Sequence, residues 1–388
     1  MLTRLDETLE RRTNPRPAGV ARALIGLAAF LKGIQMAPLI GRFDDPGIVR
    51  VPYAEWAPSL VDVPTAVPIL AWLLLAALFG LGLFTTAAGI GLTITLAAVL
   101  LTDQQLYSNH LYLLTLLVGL LTLARGGSAL SIDALRGRGS ASVPNWPLFL
   151  IRVQMSVVYL FAGLSKVSLT FLSGTVVAVT LRRDGPLAVP LEWRTFEPMA
   201  VLSLLSILTE LFLAVALWLP RWRRAAFVVG LGLHVGIAIW FEPTGQLAIF
   251  SIIILTPYLL FLNVPERAAV VVWDSSCDFC RGWVRLFGRI DWLGALRFVP
   301  SSDAAELERL RIPLEDADRA LQFVSNGRRV QGFWAVVSVL EVTPVAFLWA
   351  PILRLPPIAA IGDRLYRRTA ARRRCTLPRP AVPAGDAE

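Results

Sequence analysis

The sequence predicts a mainly α-helical, polytopic membrane bundle of about eight spans, followed by a small α/β domain. Three observations carry this. The 388-residue chain is 55 % hydrophobic and only 17 % charged, with a mean hydropathy of +0.62, a balance that belongs in a bilayer rather than in water. Apolar runs of bilayer-spanning length recur from about residue 19 to residue 263. Beyond residue 267 the pattern changes to a short β-branched run, a turn and a Cys-x-x-Cys helix, the signature of a buried strand feeding a helix.

The first 18 residues are polar and arginine-rich and read as a cytoplasmic N-terminal segment without a cleavable signal peptide. A membrane domain over 19–263 follows. Its apolar runs lie near 19–40, 66–84, 86–102, 109–124, 147–168, 198–219, 225–241 and 246–263, with the long stretch 66–102 divided at Gly82–Thr86. Arg4, Arg11, Arg12 and Arg16, then Arg125, Arg136 and Arg138, then Arg221, Arg223 and Arg224 all fall on one side of eight spans. The positive-inside rule makes that side the cytoplasm. The acidic loop with Asp44, Asp45, Glu55 and Asp62 and the turn at Glu242 fall outside. This predicts a multi-pass inner-membrane protein with its N-terminus and C-terminal domain in the cytoplasm. The net charge of +9 follows from arginines at span ends and in the C-terminal tail, so nucleic acid is not an expected partner.

Lysine is scarce: of 37 basic residues only Lys32 and Lys166 are lysines. A lysine in a span costs roughly 2.5–3.5 kcal/mol on insertion scales, and unlike arginine it can lose its proton and act as a base. The chain's two histidines, His110 and His234, also lie at or within spans. The predicted topology brings His110, Lys166 and His234 toward the outer leaflet, where they read as one site. The plainer readings are a snorkelling or ion-paired lysine and hydrogen-bonded core histidines. Glu210, inside the sixth span, is either the site's counter-ion or a structural link between helices.

Three stretches carry a resemblance: Tyr107–Leu113 around His110; Tyr159–Lys166 with Gly174; and Leu233-His234 followed by Gln246–Ser251. Together they resemble the HTTM family, the membrane domain shared with vitamin K-dependent γ-carboxylase, over roughly residues 15–263. The resemblance implies that Lys166 is the deprotonating group, with His110 and His234 stabilising a developing oxyanion or relaying protons. Ser165-Lys166 stands where the carboxylase has two lysines, and Phe171 where it has a tryptophan. The carboxylase's large extramembrane region has no counterpart here, which argues against glutamate carboxylation and leaves a quinone or another membrane-soluble molecule as candidate substrate.

In the C-terminal part, Ala268–Trp273 reads as a buried strand, Asp274–Ser276 as a turn, and Cys277-Asp278-Phe279-Cys280 as the start of a helix running to about Ile290. Leu296–Pro300 reads as a strand, Ala304–Arg311 as a helix, and Ala320–Ser325 with Asn326-Gly327 as a hairpin start. A thiol at a helix N-terminus is favoured as thiolate, so Cys277 is expected to attack, Cys280 to resolve the mixed disulfide, and Asp274 to exchange protons. A structural zinc site would need four ligands, and only the distant Cys375 is available, so no metal is expected. Two inert core cysteines are the other plain reading.

Trp273–Cys280, Asp291, Arg297-Phe298 and the stretch Gly362–Tyr366 to Cys375 resemble the DCC family of thioredoxin-like thiol-disulfide oxidoreductases over about 268–377. That implies a thioredoxin fold with a redox-active dithiol. The proline-broken run Val342–Ile361 reads as packed helices or a bilayer contact rather than a ninth span, and residues 378–388 as a disordered tail. The functional expectation is a membrane-bound thiol-disulfide oxidoreductase with an intramembrane Lys/His site. Its partners would be the bilayer and a thiol- or disulfide-bearing protein or small molecule, and its candidate cofactor a quinone. The other class is a transporter, or a peptide-maturation or immunity protein, with the dithiol as redox sensor.

Overall fold

The computed structural model describes residues 2–53, 63–184, 188–241, 244–262, 268–344 and 346–372. Glu55, Asp62, Glu242, the junction 263–267, Cys375 and the tail 378–388 lie outside the described residues. The chain separates into two compact units, Met1–Phe261 and Leu262–Glu388.

The first unit opens with helix α1 (Leu2–Glu10) and a short strand β1 (Arg12–Thr13). Helices α2 (Arg16–Gly41), α3 (Ala66–Leu81), α4 (Thr85–Thr102) and α5 (Asn109–Leu123) follow. Strand β2 (Val143–Pro144) pairs antiparallel with β1. Then come α6 (Trp146–Ser165), α7 (Leu169–Leu172), α8 (Thr175–Thr180), α9 (Phe196–Ala216), α10 (Arg223–Trp240) and α11 (Thr244–Leu255). Each of the eight predicted apolar runs holds one apolar helix. Five of these, α2, α4, α6, α9 and α10, are long and apolar enough to cross a membrane, and α3, α5 and α11 are shorter apolar helices.

Local chemistry sets the breaks between helices. The division of 66–102 falls where Gly82 and Phe84 take left-handed conformations, at φ 70° and 49°. Asp133 then supplies the missing cap, accepting from the backbone N–H of Thr85 at 2.7 Å and from its hydroxyl at 2.7 Å. The open carbonyl end of α3 is closed by the buried Arg22, whose guanidinium donates to Phe79 O and Gly80 O at 2.6 and 2.7 Å, offsetting the cost of a buried charge. α2 and α3 meet through Gly26 and Gly80, where a Cβ on Gly26 would overlap the Gly80 backbone. That is the small-residue contact by which helices associate without a hydrophobic driving force.

The fifth apolar run, read as a span over 147–168, holds α6 (Trp146–Ser165). Helix α6 stops at Ser165 with Lys166 as its C-cap, and Ser168 starts α7 by accepting from Phe171 N–H. α7 and α8 then pack along the first half of α9, with Phe171, Val177 and Leu181 against Met199. Lys166 therefore lies at the end of α6, paired with Glu210 of α9.

The second unit is built on a four-stranded sheet of β3 (Ala269–Trp273), β4 (Leu296–Pro300), β5 (Gln322–Ser325) and β6 (Arg328–Gln331), in the order β4-β3-β5-β6. β3 and β4 run parallel, joined through α12 (Asp278–Ile290), and β5 and β6 are antiparallel to their neighbours. Asn326 and Gly327, both at positive φ, make the hairpin turn. One face of β3, Ala269 and Val271, packs with Phe287 of α12 and with Ala335 and Val339 of α15 (Phe333–Val342). The other face, Val270 and Val272, packs on Leu307 of α13 (Ala304–Leu310) and Ala317 of α14 (Leu314–Arg319). Helix α16 (Pro356–Arg372) is tied down by Tyr366, whose hydroxyl accepts from Leu321 N–H at 3.0 Å. Helices on both faces of a mixed sheet with a βαβ start make this unit thioredoxin-like.

Candidate functional site

The membrane unit gathers its chemistry-bearing side chains from six helices. His110, the second residue of α5, stacks on Phe250 of α11 with ring centroids 4.1 Å apart. The same Phe250 ring meets His234 of α10 edge-on at 5.8 Å. His234 Nε2 lies 2.8 Å from the Tyr159 hydroxyl, which lies 2.8 Å from the Tyr258 hydroxyl. The close packing that seats Tyr258 depends on Gly230, because a Cβ there would overlap the phenol oxygen. His234 is almost fully buried, and its Nδ1 has no hydrogen-bond partner among the described residues. Buried polar groups are nearly always satisfied, and this nitrogen is one of the few exceptions among the described residues.

Lys166 donates to both carboxylate oxygens of Glu210, at 2.5 and 2.6 Å. The pair is lopsided: the lysine side chain is 29 % exposed and the glutamate 8 %. Lys166 also stands 5.9 Å from the centre of the Phe171 ring, and it is close enough to act electrostatically on His234. The structure thus brings His110, His234, Tyr159, Lys166 and Glu210 into one region.

The second lysine, Lys32 of α2, is the more buried of the two, 3 % exposed. Its ammonium donates to Gln35 Oε1 at 2.8 Å and lies within electrostatic reach of His110. Its rarity in an arginine-rich chain was a usable signal. Tyr258 gave none, since a tyrosine at the end of an apolar run is ordinary.

In the second unit, Cys277 is the N-cap of α12 and Cys280 lies in its first turn. The ligand atoms of Asp274, Cys277 and Cys280 all fall within 4.8 Å of one another. Asp274 is buried at the end of β3, and its Oδ1 accepts from Ser276 N–H at 3.0 Å and from Ser276 Oγ at 2.7 Å, which fixes the turn. Three such atoms have metal-ligand chemistry, but a closed structural zinc site takes four, and among the described residues no fourth ligand joins them. Both sulfurs are thiols rather than a disulfide, with Cys277 fully buried and Cys280 partly exposed. The expected attacking sulfur is therefore the less accessible one. Cys280 opens onto a cavity of about 300 Å³ that Asp274 also lines.

A bundle of apolar helices with an internal charged and aromatic site, joined to a thioredoxin-like unit bearing a dithiol, defines a redox membrane protein. The HTTM domain model matches residues 10–265, and the model of the DCC1-like thiol-disulfide oxidoreductases matches residues 271–379. The chain belongs to the HTTM family and carries a DCC1-like thiol-disulfide oxidoreductase domain at its C-terminal side. No curated protein and no solved structure matches it.

Proposed function

We propose that this protein is a membrane-bound thiol-disulfide oxidoreductase of the inner cell membrane, with its N-terminus and its dithiol domain in the cytoplasm. The observation that carries the reading is the group Asp274, Cys277 and Cys280, held within 4.8 Å at the N-terminus of α12. In a reducing compartment such a pair acts catalytically rather than as a structural bridge. The reduced pair gives two electrons and two protons to a disulfide, becomes a Cys277–Cys280 disulfide, and releases two thiols. Two equivalents of a cellular thiol then return it to the dithiol and leave as their own disulfide. Asp274 is placed to hold the proton that a reacting cysteine gives up.

The second half of the proposal concerns the bundle. A quinone-type or other membrane-soluble substrate binds beside His234 and Lys166. Hydroxyl and imidazole groups suit a quinone oxygen, and the unpartnered Nδ1 of buried His234 supports that fit. Lys166, once it has passed a proton to Glu210 and become neutral, accepts a proton, while the Tyr159–His234 pair holds the substrate oxygen. Binding of a ubiquinone or menaquinone analogue to the purified protein tests this. Lys166→Ala and His234→Ala should each weaken binding by at least about tenfold, and unchanged binding in both variants would remove the quinone reading.

The break in α6 at Lys166, beside a buried carboxylate, favours one second reading, a transporter with a site at a discontinuous helix. A transporter keeps solute uptake after Cys277→Ser, whereas the oxidoreductase loses disulfide turnover.

A further inference from the structure

We propose that the dithiol's substrate is a small apolar disulfide bound in the cavity between α12, α15 and α16, and that Cys280, not Cys277, is the sulfur it meets. The inference rests on the oxidoreductase reading and narrows it. Cys277 has no exposed surface, and its side chain makes no cap hydrogen bond to the helix it starts. A thiol sealed in this way cannot be approached by a disulfide from outside. Cys280 instead forms part of the wall of a cavity of about 300 Å³, at the lower end of the ~300–1,000 Å³ typical of small-molecule sites.

The lining names the chemistry. Phe279, Trp283, Phe333, Leu365 and Tyr366 surround Cys280, and Asp274 is the one charged residue on the wall. The Tyr366 hydroxyl is already engaged with the Leu321 N–H, so the ring presents its apolar face. Among the described residues no cation lines the cavity. A disulfide carrying carboxylates would lose hydration there with nothing to replace it and would face Asp274 as well. An aromatic or alkyl disulfide would replace water against five apolar side chains.

The step balances within the dithiol. The Cys280 thiolate attacks one sulfur of the substrate, forming a Cys280 mixed disulfide and expelling the first thiolate, which takes the proton Cys280 lost. Cys277, within 4.8 Å of its partner group, then attacks the Cys280 sulfur. The protein disulfide forms, the second thiolate leaves, and it takes the proton from Cys277. Two electrons pass from protein to substrate, and buried Cys277 needs to meet only Cys280.

The test uses the reduced full-length protein in lipid nanodiscs, mixed for a single turnover with diphenyl disulfide, oxidised glutathione or insulin, and read by mass spectrometry. Diphenyl disulfide should oxidise the dithiol at least about tenfold faster than the other two. Cys277→Ser should stop at a phenylthio adduct on Cys280, and Cys280→Ser should slow the reaction about tenfold or more. Ala370→Phe, which fills the cavity wall from α16, should slow diphenyl disulfide by a similar factor without lowering the melting temperature. Insulin or oxidised glutathione reacting as fast as diphenyl disulfide overturns the substrate class. An adduct on Cys277 at wild-type rate in Cys280→Ser, or an unaffected Ala370→Phe, overturns the site. Those outcomes leave the oxidoreductase reading intact, whereas failure of all three disulfides to oxidise the dithiol overturns both.

Discussion

Glu210 and Lys166 show how little of an ion pair's meaning lies in its distance. The carboxylate is nearly buried and the ammonium is not, so the lysine relieves the glutamate more than the reverse. Removing only the lysine leaves a buried carboxylate without its donor, a cost on the order of 1–3 kcal/mol. Lys166→Met should therefore destabilise the bundle by about that amount, and the double variant Lys166→Met/Glu210→Gln should recover most of it. Denaturant titration in detergent micelles measures both. Independent, additive losses would mean that the pair is not coupled. His110, Lys166 and His234 were legible in the sequence because each is a rare polar residue inside an apolar run. Phe250 and Tyr258 were not, because what sets them apart is the ring or hydroxyl they touch, and residue type does not encode that.

Among the elements, the short helices α7 and α8 that follow α6 were the feature the apolar pattern did not foretell. Val167, Leu169 and Phe171 continue the run, so hydropathy stays high across a point where Ser168 starts a new helix turn. Hydropathy measures solvent preference, and a helix break that remains in an apolar setting leaves it unchanged. By contrast, the strand–turn–helix around Cys277 and the Asn326-Gly327 hairpin were legible, because turn chemistry depends on residues adjacent in sequence. The C-terminal domain also carries a surface element with a defined pH response. Arg297 and Arg309 donate to Glu306 and hold its carboxyl at about 2, below its usual 4.5. A lowered carboxyl contributes its stabilisation fully above pH 4.5 and loses it as pH falls toward 2. Glu306→Gln should thus lower the domain's melting temperature by a constant amount from about pH 6 to 8. The gap to wild type should close as pH falls from 4.5 toward about 2, as followed by thermal melts from neutral pH into acid. A gap that stays constant into acid would show that the arginines do not hold the carboxyl down.

At the level of the whole molecule, the proposal is a two-step assignment of sides: arginines flanking the apolar runs face the cytoplasm, and so does the dithiol. A membrane-impermeant thiol reagent should leave Cys280 unmodified in intact cells and label it in inverted membrane vesicles, in a Cys375→Ser background. Labelling in intact cells would place the domain outside and add a crossing to the chain. The two units were separable in the sequence because the solvent changes between them, from an apolar bundle to a half-polar sheet with helices. What the sequence left dark is which sulfur is reachable. Cys277 is sealed, while Cys280 opens onto a cavity that α15 and α16 help to line, elements 50 or more residues away.

The most direct test of the central claim is a redox titration of the Cys277–Cys280 pair in the full-length protein, poised with thiol–disulfide buffers and read by alkylation and mass spectrometry. The account predicts a reversible two-electron transition with a midpoint in the range of dithiol enzymes, about −270 to −120 mV. Thiols that never pair at any poise, or a bridge that stays closed below about −300 mV as structural disulfides do, would contradict it.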